Sequence, residues 1–113
     1  MKMITKELAL GELKQMVVSR FGNLVKAVVD VDREIIAVDA ELHSDLEALL
    51  LENGSKQGSL WGINFYPELG QDEFIEFDSM INMRPSHGNR SRGVDNEETR
   101  KKIIEIVKKR IRR

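Results

Sequence analysis

Apolar residues recur along this chain at two spacings, helical and alternating, and the switches between them outline its elements. Leu10, Leu13, Val17 and Phe21 fall on one side at helical spacing, predicting a first helix opened by Thr5 or Gly11. It should close at Gly22, because glycine takes a left-handed cap conformation without steric cost. Met1–Ile4, ahead of it, is long enough only for an edge strand. Leu24–Val31 alternates Val25, Ala27 and Val29 with Lys26 and Asp30, and Glu34–Val38 follows a tight turn at Asp32 and Arg33, so the two predict a β-hairpin. Ser44 and Glu47 have capping-box spacing and start a second helix, which runs through Leu46, Leu49 and Leu50 to Asn53-Gly54. A second hairpin comes next. Its strands are Ser59–Tyr66, with Trp61, Ile63 and Phe65 on one side, and Glu73–Asn82, with Ile75, Phe77 and Ile81 opposite Glu76, Asp78 and Asn82. Asp95 and Glu98 repeat the capping spacing before a final helix striped by Ile103, Ile104, Val107 and Ile111.

The order α-β-β-α-β-β-α predicts one α+β domain over residues 1–113, a four-stranded, mostly antiparallel sheet with helices on one face. If the apolar strand positions face those helices, alternation turns Lys26, Asp30, Asn64, Tyr66, Glu76, Asp78 and Asn82 to the opposite face together. That polar face would lead directly into Arg84. The alternative is an ordinary solvated surface of cross-strand ion pairs.

Composition narrows the class of protein. With 113 residues, 41% hydrophobic and 33% charged, the chain is suited to a small soluble domain with a modest core. It has no cysteine, which excludes disulfide scaffolds, thiolate zinc sites and a cysteine nucleophile. Charges interrupt the apolar residues of MKMITKELALGELK, so a signal peptide or membrane span is not expected there, and the reading is a cytoplasmic protein without a membrane partner. The net charge of -1 hides an asymmetry: residues 1–78 carry 7 Lys and Arg against 15 Asp and Glu, whereas residues 79–113 carry 11 against 4. Either the basic C-terminal helix packs on its own acidic domain or on a second copy in a homo-oligomer, or it presents a positive surface to phosphates.

The block INMRPSHGNRSR, with FGNLVKAVVD, ELHSD, LENGSKQGSLWGIN and IEFDSMIN, resembles a family of small prokaryotic proteins of unknown function. The resemblance runs from about Phe21 to the last helix. That family has no established activity, so it implies no catalytic roles.

Candidate chemistry centres on the end of the second hairpin. Arg84, Arg90 and Arg92, interleaved with Ser86, Asn89 and Ser91, make an acid-free loop whose planar guanidinium forks match phosphate or carboxylate oxygens. With Asn64 and Asn82 on the polar face, these residues (Asn64, Asn82, Arg84, Asn89, Arg90 and Arg92) would bind an anionic ligand. The basic residues of the last helix, from Arg100 to Arg113, could extend such a surface to nucleic acid, although aromatics for base stacking are only 5% of the chain. A catalytic alternative uses Glu76 and Asp78, about 7 Å apart along one strand face, to hold a divalent metal such as Mg²⁺ or Mn²⁺, with Lys26 opposing an anionic transition state in phosphodiester cleavage. No other cofactor is implied. A third reading makes the same face a protein-interaction or dimerisation surface. His43 with Glu41 could act as a general base or ligand, but directly before the capping Ser44 it reads as part of the helix start, and Trp61 reads as core. No nucleophile elbow, phosphate loop or dinucleotide fingerprint is present.

Overall fold

The computed structural model describes residues 1–20 and 22–113. It is an α+β fold with three helices, α1 (Leu10–Ser19), α2 (His43–Glu52) and α3 (Glu97–Arg110). The main sheet holds five strands: β1 (Lys2–Ile4), β3 (Val25–Asp30), β4 (Ile35–Val38), β5 (Leu60–Phe65) and β6 (Ile75–Glu76), in the spatial order β1-β4-β3-β5-β6. Every pairing in it is antiparallel. Two short strands, β2 (Leu8–Ala9) and β7 (Ile111–Arg112), pair in parallel and tie the start of α1 to the end of α3.

The expected four strands are thus five, because Lys2–Ile4 fills the open edge of β4, with Lys2 opposite Val38 and Ile4 opposite Ile36. The helices do not share one face, as alternation suggested. Val25, Ala27, Val29, Ile36, Val38, Ile63 and Phe65 pack with Leu13 of α1 and Ile103, Ile106 and Val107 of α3. Val28, Ile35, Ala37 and Leu60 form a second apolar patch on the other face, where Leu46 and Leu50 of α2 cover it. The centre of the sheet is apolar on both sides. Burying a Leu or Val side chain there contributes about 1.5–3 kcal/mol, and that gain requires a helix on each face.

The strand expected over Glu73–Asn82 is also shorter. Only Ile75–Glu76 stays in the ladder, and the chain turns into a 3₁₀ turn over Met80–Asn82, with Ser79 Oγ accepting from the Ile81 N–H. Even-numbered residues of β5 turn their backbone groups to this outer edge, and side chains replace the missing strand. The Asn82 amide accepts from the Gly62 N–H (2.8 Å) and donates to the Gly62 carbonyl (2.9 Å), while Arg84 donates to the Leu60 carbonyl (2.8 Å). A long bare edge would invite pairing with another chain; this one is closed.

Local caps differ from the sequence expectation too. Leu42 caps α2 without a side-chain bond, so Ser44 and Glu47 form no capping box, and the cap of α3 is Asn96, which accepts from Thr99 N–H. Gly54, at φ 97°, ends α2 as expected. Helix α1 ends at Ser19 with Arg20 as its C-cap, its N–H on the Val17 carbonyl, ahead of the Gly22 expected to close it; Phe21, expected on the apolar stripe of that helix, lies outside the described residues. At the β3–β4 turn, buried Asp30 accepts from the Asp32 and Arg33 N–H groups and from Ser55 Oγ, so it belongs to the turn and not to a polar surface.

Candidate functional site

The register of three strands builds the site. Lys26 on β3 stands opposite Asn64 on β5, and Asn64 stands opposite Glu76 on β6, so the three side chains form a row across the face that carries α2. The helix covers the apolar half of that face and leaves this row uncovered. A concavity of about 450 Å³ opens over it, lined by Lys26, His43, Asn64, Tyr66, Glu76, Asp78 and Arg92 among others. Leu42 and Met80, both exposed, form its apolar rim.

The hydrogen bonds inside are specific. Asn64 Nδ2 donates to Glu76 Oε1 at 2.8 Å and to the Asp78 carbonyl at 3.3 Å, and the Tyr66 hydroxyl donates to the same Glu76 oxygen at 2.9 Å. Burial and the Glu76 carboxylate both raise the Tyr66 pKa, so its hydroxyl keeps its proton. Arg92 Nε donates to Asp78 Oδ1 at 2.6 Å. His43, at the first turn of α2, is buried, and its Nε2 lies 2.8 Å from the Ile63 carbonyl, a partner that only accepts. The neutral ring therefore carries its proton on Nε2. Burial pushes the His43 pKa down, opposed by the Ile63 carbonyl, and the Lys26 charge lowers it further. Among the described residues, the Lys26 ammonium has no ion-pair or hydrogen-bond partner, whereas the Arg92 guanidinium is held by Asp78.

The expected site residues divide cleanly. Lys26, Asn64, Glu76, Asp78 and Arg92 all line the concavity. Asn82, Arg84 and Asn89 are engaged in the fold. Asn82 is fully buried against Gly62 and the Arg92 carbonyl. Arg84 donates to the Gln57 and Leu60 carbonyls and stacks 4.2 Å over the half-buried Trp61 ring, and burial lowers its pKa. Asn89 donates to the Asn82, Ser91 and Gly93 carbonyls and accepts from the Asp95 N–H. Arg90 is exposed and away from the concavity, with its backbone N–H on Asp95. The loop is thus pinned chiefly by amide–carbonyl bonds, and of its three arginines only Arg92 reaches the polar face. His43 and Tyr66 also line the site, although the sequence reading put His43 at the helix start and Tyr66 on the polar face without counting either among the ligand-binding residues. Tyr66 carried a usable signal, its place in the polar alternation; nothing in the sequence carries α2 back across β5.

For metal binding, Glu76 Oε1 is taken by Asn64 and Tyr66 and Asp78 Oδ1 by Arg92, and among the described residues no group of three or more His, Asp or Glu side chains is arranged to hold an ion. The basic last helix is largely engaged within the domain. Glu34, at φ 55° in the β3–β4 turn, accepts from Lys102 and Lys109, both at 3.1 Å, and its carbonyl accepts from Arg110. Those two ammonium groups hold the Glu34 carboxyl below its ordinary range. Arg112 pairs with Glu7, and Arg113 lies over the Phe74 ring. Among the described residues, no helix is long and apolar enough to cross a membrane.

A family profile described as protein of unknown function (DUF5674) matches residues 2–110. The chain belongs to this family. The match takes in every strand of the main sheet and all lining residues of the concavity. Neither a curated protein nor a solved structure matches the chain.

Proposed function

We propose that this DUF5674 domain binds a small anionic ligand in the concavity over Lys26, Asn64 and Glu76, with Lys26 as the charged anchor and Arg92 beside it. One observation carries the reading: Lys26 is half-buried at the floor of a recess, and no described residue neutralises it. The reading keeps the polar sheet face expected from the sequence but not its gripping loop, since the Asn89 amide is spent on backbone carbonyls and Arg84 turns both terminal nitrogens to the Gln57 and Leu60 carbonyls and does not line the concavity. A metal-dependent phosphodiesterase has less support, because each candidate carboxylate is already bonded by neighbouring side chains.

A unit anion about 4 Å from the ammonium gains about 4 kcal/mol at an effective dielectric constant of 20. Ordering and desolvation consume much of this, so inorganic phosphate should bind at about millimolar Kd or weaker. The test is a titration with inorganic phosphate and nucleoside monophosphates, followed by amide chemical shifts. Shifts should cluster at Lys26, Asn64, Tyr66 and Glu76, and Lys26→Ala should weaken binding about tenfold. Shifts confined to Arg84–Arg92 or to α3, or none at all, would overturn the assignment.

A further inference from the structure

His43 and Asn64 lie against each other in the wall of the concavity, 8% and 5% exposed. The neutral His43 ring has one proton, and the Ile63 carbonyl, 2.8 Å from Nε2, takes it. Asn64 turns its amide nitrogen to two acceptors, Glu76 Oε1 and the Asp78 carbonyl. Its Oδ1 therefore sits against the His43 ring, buried and with no hydrogen-bond partner among the described residues. An unpaired buried acceptor is costly. A second proton, on Nδ1, would turn the ring into a cation lying against two oxygens that attract it. Charge and burial oppose that proton. Around the ring in the concavity wall stand Lys26 from β3, Glu76 from β6, Asp78 and Arg92 from the segments beyond it, and Tyr66, just past β5, with its proton in place. Lys26 disfavours a charged ring and Asp78 favours one, but Asp78 is already paired with Arg92. The carboxylates flanking His43 in sequence, Glu41 and Asp45, do not line this concavity. An anion held by Lys26 would cancel the charge that opposes the second proton.

We propose that His43 takes up a proton when the anion binds, so that the site grips its ligand more tightly below neutral pH. This rests on the anion site at Lys26 and names how that site is regulated. The coupling is reciprocal: the factor by which the anion raises proton affinity is the factor by which the proton raises anion affinity. Burial keeps the free ring neutral at pH 7, so affinity should be flat above that pH and rise as pH falls through the titration of the occupied state.

Sulfate is the probe, because its charge is constant where a phosphate titrates. The ring Cε1–Hε1 signal of His43 is followed against pH in the unaltered protein, in sodium sulfate and in sodium chloride of equal ionic strength. His87, the other histidine, is exposed and outside the concavity and serves as the internal control. Sulfate should raise the His43 midpoint by about 0.5 unit or more and move that of His87 by less than about 0.2, and its Kd, read from amide shifts at Lys26 and Asn64, should be about threefold or more lower at pH 5.5 than at pH 8. His43→Gln keeps a donor for the Ile63 carbonyl but cannot be charged, so the two Kd values should agree within about 1.5-fold; should that variant not fold, the wild-type titrations decide alone. A pH dependence that survives in His43→Gln places the proton elsewhere and overturns the inference. If sulfate binds equally at both pH values and the His43 midpoint moves no more than that of His87, the proton coupling is wrong and the anion site stands. If sulfate binds at neither pH, the anion site itself is wrong and the inference falls with it.

Discussion

Asn82 offers a stringent test of how the site is held. Its side chain supplies three bonds to backbone: it accepts from Gly62 N–H and donates to the Gly62 and Arg92 carbonyls, at 2.8–2.9 Å, with no exposed surface. Asn82→Ala would leave three polar backbone groups unpaired, each costing about 1–3 kcal/mol if it stays dry. Water entering the vacated space would relieve part of this, so we expect a loss of about 2–4 kcal/mol. Set against the roughly 5–15 kcal/mol that stabilises a domain of this kind, that is a large fraction. Asn82→Asp keeps the shape and the acceptor for Gly62 but turns a carboxylate oxygen toward two carbonyls. Burial and that repulsion would raise the new carboxyl's pKa in the folded state above its unfolded value of about 3.9. The folded state then binds the proton more tightly, so the deficit should grow as pH rises through and above 3.9 and shrink on acidification. Urea denaturation of wild type and both variants at pH 7 and pH 5, followed by circular dichroism, reads the differences. An Asn82→Ala cost below about 1 kcal/mol, or an Asn82→Asp deficit that ignores pH, would refute the strand-replacement role.

Two further expectations concern the same face. A Cβ at Gly62 would stand 2.5 Å from Ser79 Cβ and 2.6 Å from its Oγ, and Ser79 is held by the bond from its N–H to the Arg92 carbonyl, so Gly62→Ala should destabilise by about 1–3 kcal/mol. A shift in denaturation free energy below about 0.5 kcal/mol would show that the turn moves freely. Because burial holds the His43 pKa below its ordinary 6.5, the unfolded chain takes up that proton first. The stability His43 contributes is therefore present above pH 6.5 and lost as pH falls from there, and His43→Gln should lose less stability than wild type between pH 7.5 and 5. Parallel pH profiles for the two proteins would contradict that.

The sequence by itself determined the local periods. It marked α2 and its stop at Gly54, the β3–β4 hairpin, β5, the basic last helix, and a polar row of Lys26, Asn64 and Glu76, because strand alternation assigns faces without knowing what covers them. A second face for the helices was half-legible: Val28 breaks the apolar-polar alternation of β3, and with Ala37 and Leu60 it signals a strand pair buried on both sides. Only the tertiary structure decided which polar residues would be free. Arg84, Asn82 and Asn89 have the side chains of a binding loop, yet each meets backbone carbonyls distant in sequence or across its own turn. Likewise Glu34 meets the basic helix about seventy residues away in sequence. Hydrogen-bonding capacity is a property of a residue, but whether it is already satisfied depends on which distant groups the fold brings within 3 Å, and no spacing along the chain encodes that.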